Sequence, residues 1–160
     1  MPVWPAYVAA SWTVVYVVWV FLDISAHVLA GDHMEETVMT TVLIDSVLRL
    51  VTGVLILATV RPWRFAVPDP LMVLLAWAAA GGNLAFPLYK SARIALAPWG
   101  VTEPWPAPLF TTASVALAAG ALLFVAAAVA FLNRARVRRR WAVAGLFLGF
   151  LVMYLPAANL

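Results

Sequence analysis

Two short-range pairs of ionisable side chains lie within segments that are otherwise hydrocarbon. Asp23 and His27 form the first pair, Asp45 and Arg49 form the second, and each pair is separated by four residues. Residues four apart are neighbours on a helix surface. A charge at the centre of a bilayer costs roughly 2.5–3.5 kcal/mol on insertion scales, so such groups normally face the interior of a helix bundle and mark function. We therefore expect these four side chains to form a site.

The residue types in these pairs indicate acid–base chemistry. Carboxylates beside an imidazole can exchange protons with a ligand, so we predict Asp23, His27 and Asp45 as candidate catalytic groups. Arg49 would hold an anionic or carbonyl group of that ligand. A structural interpretation stays open beside this one. In it, Asp45 and Arg49 form a buried ion pair that ties helices together, and Asp23 and His27 form a hydrogen-bonded pair.

Helical geometry predicts that the two pairs lie at a similar depth. With a rise of about 1.5 Å per residue, Asp23 lies roughly 10 Å below the outer end of the first segment and Asp45 roughly 12 Å below that of the second. Asn83 approaches the same depth from a third segment, and aromatic side chains share the stripe of Asp23 on the first. The ligand-binding residues predicted on this basis are Arg49, Asn83, Tyr16 and Trp19.

The composition indicates that membrane-spanning helices position these groups. Hydrophobic residues make up 66% of the 160 residues and charged residues 11%, with a mean hydropathy of +0.99, whereas soluble domains carry roughly 25% charged residues. The net charge of +3 does not indicate nucleic acid, because five of the ten basic residues form one run, Arg134 to Arg140, between apolar segments. We predict an integral membrane protein with membrane lipid, and no nucleic acid, as partner.

Five segments approach the roughly 20 apolar residues that a span requires. The predicted spans are residues 5–30, 37–60, 70–89, 109–132 and 141–158. The fifth is marginal because Pro156 interrupts it. Arg61, Arg64 and the later arginine run occupy loops on one side, so the positive-inside rule predicts a cytoplasmic N-terminus. The expected fold is all-α: one transmembrane helical bundle of four to five spans over residues 1–160.

The stretch from Lys90 to Pro108 is predicted to be the one long loop. Its four prolines exclude a regular helix at its centre. Trp99 and Trp105 within it are expected to lie at headgroup level as interfacial anchors. The alternative is that the loop forms a lid over the site.

Two further features concern packing and metals. Gly145 and Gly149 form a GxxxG motif, which permits close approach of helices, either within the chain or at the contact surface of a homodimer or larger membrane complex.

The acidic turn between the first two spans, residues 31–36, is interpreted as a solvated turn. We predict no metal site, since no motif with the spacing of metal ligands is present. The sequence indicates no particular cofactor.

A resemblance to a known family extends over about residues 45–140. The residues that carry it are Val60–Arg64, Val67 and Pro68, the run Ala76–Gly81, and Trp105 ahead of a helix rich in Gly, Ala and Leu that ends in arginines. In these features the chain resembles a family of small polytopic membrane proteins of actinobacterial type. The resemblance implies a helical membrane fold and a bacterial inner membrane. It implies no activity, because the family has none assigned.

These observations favour a protein that binds or transports a small or lipophilic ligand at an outward-opening Asp/His/Arg cluster, with proton coupling as an option. Two alternatives stay open. The first is a membrane-embedded acid–base enzyme that acts on a lipophilic substrate as an isomerase, a cyclase or an epoxide-opening enzyme. The second is an accessory subunit of a larger membrane complex, in which the buried charges only specify packing. Residue types alone do not decide between them.

Overall fold

The chain folds into helices throughout the part that the structure describes. This structure is a computed structural model that describes residues 2–31, 36–60, 67–96 and 107–157. The helices are α1 (Trp4–Leu29), α2 (Glu36–Ala58), α3 (Asp69–Leu96), α4 (Ala107–Ala135) and α5 (Arg139–Ala157). The described ranges contain no strand. The prediction of an all-α fold is confirmed.

Four of these helices are long and apolar enough to cross a membrane. The qualifying segments are Trp4–Leu29, Met39–Ala58, Asp69–Tyr89 and Val115–Ala135. Helix α5 has 19 residues, which gives it a length of about 29 Å, slightly below a hydrocarbon core of roughly 30 Å. The chain therefore has the architecture of a multi-pass membrane protein with four spanning helices in its described part, at the lower end of the predicted four to five.

Helix α3 continues past residue 89, where the sequence analysis ended the third span. It runs to Leu96, so the first part of the predicted loop is helical. Residues 90–96 contain no proline, and Lys, Ala, Arg and Leu among them are good helix formers. At the other end of this stretch, α4 begins at Ala107 with Pro108 in its first turn, where a proline is tolerated. Trp99 and Trp105 lie outside the described residues.

The four spanning helices pack as a ring. Helix α1 contacts α2 and α4, and α3 contacts α2 and α4, while α5 packs along α3 as the closest pair of helices in the chain. The α2–α3 interface is sparser than the α3–α4 interface. We call the end where α2 and α4 terminate the arginine end, because the arginine-containing connections follow there. The opposite end, where α1 and α3 terminate, is the acidic end.

Glycines bring α3 and α5 into backbone contact. A Cβ atom at Gly145 would collide with the carbonyl oxygen of Leu74, and one at Gly149 with that of Ala78. Both glycines are buried. In the structure the GxxxG motif packs against α3 within the chain, which is one of the two roles expected of it. Association with a second copy or another protein stays a prediction that needs a different surface.

A core of small and apolar side chains fills the half of the ring near the arginine end. Alanines dominate it, and Ile56 and Phe124 are its largest fully buried members. The buried residues of this cluster are Ala6, Ala9, Ile56, Ala76, Ala79, Ala80, Phe124, Ala127 and Ala128. This core closes the bundle between the arginine end and the polar side chains described below.

Candidate functional site

Arg49 occupies the centre of a buried polar network. Its side chain is only 2% exposed. The Nε group donates a hydrogen bond of 2.7 Å to Oδ2 of Asp45, one helical turn earlier on α2. The Nη1 group donates a second hydrogen bond, of 3.1 Å, to Oδ1 of Asn83 on α3. The predicted ion pair is therefore present, and it lies where a charge requires a partner.

Asn83 connects α2 to α3 across their sparse interface. It is completely buried, and its amide orientation is fixed by three hydrogen bonds. Oδ1 accepts from Arg49, while Nδ2 donates to Oγ1 of Thr52 at 3.1 Å and to the carbonyl oxygen of Ala79 at 2.9 Å. Thr52 in turn donates from Oγ1 to the carbonyl oxygen of Arg49 at 2.7 Å. The network therefore holds the guanidinium group from both helices.

Aromatic side chains of α1 cover the other side of the network. The Cζ atom of Arg49 lies 4.8 Å from the ring centroid of Tyr16, a cation–π contact. The Tyr16 hydroxyl donates a long hydrogen bond of 3.4 Å to Oδ2 of Asp45. Trp12 stacks on Tyr16 with 5.4 Å between ring centroids, and Trp19 lies 6.2 Å away in a tilted arrangement. Thus α1 contributes Tyr16 directly, and Trp12 and Trp19 support it.

A cavity of about 180 Å³ adjoins this network where all five helices meet. Its polar wall consists of Tyr16, Thr41, Asp45 and Arg49. Its apolar wall consists of Val42, Leu48, Gly82, Phe86, Leu117 and Met153. An engineered apolar cavity of roughly 150 Å³ takes up benzene. The cavity therefore has room for a molecule with one ring, or for one end of a longer molecule.

The surrounding helices enclose Arg49 but leave its partner Asp45 partly open. Its side chain is 27% exposed, against 2% for its partner Arg49. Both hydrogen bonds to this carboxylate, from Arg49 and from Tyr16, end on Oδ2. No described residue donates to Oδ1. Asp45, which lines the cavity, therefore keeps one carboxylate oxygen that can accept a hydrogen bond from a bound molecule.

Asp23 and His27 lie outside the lining of this cavity. The Nδ1 atom of His27 is 2.9 Å from the carbonyl oxygen of Asp23 and 4.0 Å from its Oδ2, and the side chains are 46% (His27) and 52% (Asp23) exposed. All residues from Ser25 to Ala30 are exposed as well. The expectation of one shared cluster is therefore corrected, because both side chains are about half exposed and neither lines the cavity, although Ile24 between them is buried. A role for this pair in proton transfer stays a prediction.

Trp19 also lies outside the lining and is 52% exposed. It lies on the predicted stripe and beside the Tyr16 ring, but toward the exposed part of α1. In the described part of the chain, no three His, Asp or Glu side chains are grouped so that they could hold a metal ion. Asp32, His33 and Glu35 of the acidic turn lie outside the described residues.

Several residues of the site were not predicted. Thr52 belongs to the polar stripe of α2, so its i, i+3 spacing from Arg49 could have identified it. The apolar wall gives no comparable signal. Phe86, Leu117 and Met153 are apolar residues in apolar helices, and only the packing of α3, α4 and α5 brings them to the cavity.

The site therefore combines a buried guanidinium, a partly open carboxylate and an apolar chamber of ring size. Such a combination can hold a small molecule and orient it through one hydrogen bond. Comparisons with protein-family models, with curated proteins and with solved structures find no match to this chain. Its function is accordingly inferred from the geometry of the site.

Proposed function

We propose that the protein binds a small, mostly apolar molecule in the cavity between its helices. The observation that carries this proposal is the placement of the ion pair at the cavity wall. Arg49 is enclosed by Asp45, Asn83 and Tyr16, whereas Asp45 keeps an oxygen without a described donor. Ligand sites are typically apolar chambers with a few polar groups that fix orientation. The Asp45 carboxylate and the apolar wall match that description.

The asymmetry of the ion pair supports a binding role over a purely structural one. Apolar residues of similar volume can replace a buried ion pair at no cost in stability, so the pair needs another reason to be present. A pair that only joined helices would be enclosed at both ends. Here the guanidinium is enclosed and the carboxylate is 27% exposed at the cavity. Arg49 thus acts as the holder of Asp45, and Asp45 as the contact for the ligand.

The position of the cavity favours access from the acidic end. Thr41 and Met153 belong to its lining, and they lie five residues from the start of α2 and four from the end of α5, about 8 Å and 6 Å along the helix axes. On the opposite side, Ile56 and Phe124 fill the core without exposure. With the predicted orientation, a ligand would enter from outside the cell or from the outer leaflet.

A membrane-embedded acid–base enzyme is the second candidate. Its supporting observation is the 3.4 Å contact between the Tyr16 hydroxyl and Asp45, which places a weak acid beside a carboxylate at the wall of the cavity. Proton transfer requires such groups within hydrogen-bond reach of the reacting atom. A variant that still binds the ligand but no longer converts it would distinguish catalysis from binding.

Native mass spectrometry of the purified protein in nanodiscs tests the binding role. We expect a small molecule in stoichiometric amount with the wild type. Asp45→Asn should lose it, and Leu117→Trp, which fills the cavity, should lose it as well. Asp23→Asn is the matched control, because this carboxylate lies outside the cavity lining. It should retain the molecule.

Two results would count against the binding role. One is equal retention of the small molecule in the wild type and in Leu117→Trp, because the molecule would then sit elsewhere. The other is copurification of ordinary phospholipid alone, together with a loss of thermal stability in Asp45→Asn. That outcome would favour an accessory subunit in which the charges specify packing.

A further inference from the structure

We propose that the molecule bound in this cavity is electrically neutral and donates a hydrogen bond to Asp45, as a small alcohol or phenol does. This inference rests on the proposed binding function and specifies the class of ligand. It follows from three properties of the cavity wall: its charge, its hydrogen-bonding pattern and its size.

The charge of the wall excludes a charged ligand. Asp45 and Arg49 are the charged side chains that line the cavity, and the Nε–Oδ2 distance of 2.7 Å makes them a neutral pair. A ligand cation at Asp45 would lie beside the guanidinium, and a ligand anion would lie beside the carboxylate. Either would leave one uncompensated charge among apolar helices, where charges are strongly disfavoured. A neutral ligand avoids this cost.

The hydrogen-bonding pattern requires a donor on the ligand. Oδ2 of Asp45 already accepts from Arg49 and from Tyr16, and no described residue donates to Oδ1. An ionised carboxylate only accepts hydrogen bonds. An ether or a ketone would therefore leave Oδ1 unpaired, whereas a hydroxyl group would satisfy it. A ligand that covered this 27% exposed carboxylate without donating to it would remove a charged acceptor from solvent unpaired, which is costly.

The apolar wall determines the body of the ligand. Leu48, Phe86, Leu117 and Met153 offer no polar side-chain partner apart from the thioether, a weak acceptor. The volume of about 180 Å³ holds one ring. The same hydroxyl head occurs on a free aromatic alcohol and at the end of a lipid. A lipid carries a long chain behind its hydroxyl group, whereas an aromatic alcohol does not, so an experiment can distinguish the two by the length of the molecule that the cavity accepts.

Binding of four ring-sized probes to the protein in nanodiscs tests the head group. The probes are benzyl alcohol, toluene, benzylamine and benzoate, measured by isothermal titration calorimetry with empty nanodiscs as the blank for partitioning. We expect benzyl alcohol to bind at least about tenfold more tightly than the other three, since a hydrogen bond to a charged group is worth about a factor of ten or more. 1-Decanol distinguishes the sources: binding as tight as that of benzyl alcohol indicates a cavity that admits a lipid chain.

A paired replacement keeps the test independent of folding. Asp45→Leu alone leaves the buried guanidinium without its partner, so we combine it with Arg49→Met, which keeps the site neutral and apolar. This double variant should bind toluene and benzyl alcohol with equal affinity. Asp23→Leu, outside the cavity lining, should keep the tenfold preference.

The outcomes separate this inference from the proposed function. If no probe binds above the blank, the binding function itself is wrong. If toluene binds as tightly as benzyl alcohol, or if benzylamine or benzoate binds most tightly, and Leu117→Trp abolishes that binding, the cavity is a ligand site but the neutral-donor inference is wrong. A tenfold preference that persists in the double variant would also overturn it.

Discussion

Removal of either partner of the buried ion pair should destabilise the protein strongly. Arg49→Met leaves the Asp45 carboxylate without its 2.7 Å partner and removes the hydrogen bond to Asn83. Two unit charges about 4 Å apart interact by roughly 4 kcal/mol at an effective dielectric constant of 20. Breaking a buried pair typically costs about 3–5 kcal/mol. Because Asp45 is 27% exposed, we expect the lower end of that range, about 3 kcal/mol.

Unfolding free energies from titration with SDS in mixed micelles would measure this effect. The series contains the wild type, Arg49→Met, Asp45→Leu and the double variant. Arg49→Met should lose about 3 kcal/mol, and Asp45→Leu, which leaves the fully buried guanidinium unpaired, about 5 kcal/mol. The double variant should lose much less than the sum, because apolar replacement of a whole pair is often neutral. Asp23→Leu removes a half-exposed carboxylate and should change the free energy by less than about 1 kcal/mol.

Additivity would refute this reasoning. Independent sites add to within about 0.5 kcal/mol. If the double variant lost the sum of the two single losses within that margin, Asp45 and Arg49 would not be energetically coupled, although they are in contact. The description of Arg49 as the holder of the cavity carboxylate would then be wrong.

Three further predictions concern packing and orientation. Gly81→Ala should cost about 1–3 kcal/mol of unfolding free energy, because its Cβ would collide with backbone of α5. Gly82→Ala should cost less, because its one close contact is with the flexible Met153 side chain and the Gly149 carbonyl oxygen lies at ordinary contact distance. Phe124→Ala should cost about 3–5 kcal/mol in the same assay, since this ring is fully buried. The chain lacks cysteine, so a membrane-impermeant maleimide applied to spheroplasts should label Ala30→Cys and not Arg138→Cys; the reverse pattern would place the N-terminus outside.

The helices were predictable because the membrane imposes length and hydrophobicity on each of them. The predicted runs of about 20 apolar residues match the bounds of α1 to α4 to within a few residues, except at the end of α3. The exception at the end of α3 has a local cause. The predicted loop began at the charged residue Lys90, but Lys90 and Arg93 are good helix formers. A helix can therefore continue beyond the residue at which the apolar segment ends. Hydropathy therefore does not mark where the helix ends.

The polar part of the site, including Tyr16 on α1, was predictable, whereas the apolar wall and the exclusion of Asp23, His27 and Trp19 from the lining were not. The i, i+4 spacing of Asp45 and Arg49 identified the pair, and depth identified Asn83. The same spacing also suggested Asp23 and His27, whose side chains are about half exposed and lie outside the cavity lining. Spacing determines which side chains share a face of one helix. It does not determine whether another helix covers that face.

The packing of the helices indicates where the bundle would have to move if the ligand were transported. Helices α3 and α5 are joined by backbone contacts at Gly145 and Gly149, so they would move as one unit. The α2–α3 interface is sparse, and the hydrogen bonds of Asn83 to Arg49 and Thr52 cross it. Passage toward the arginine end would require these bonds to break and the alanine-rich core to part. A protein that only binds its ligand needs neither change, so the two roles differ in whether the hydrogen bonds of Asn83 across this interface must break.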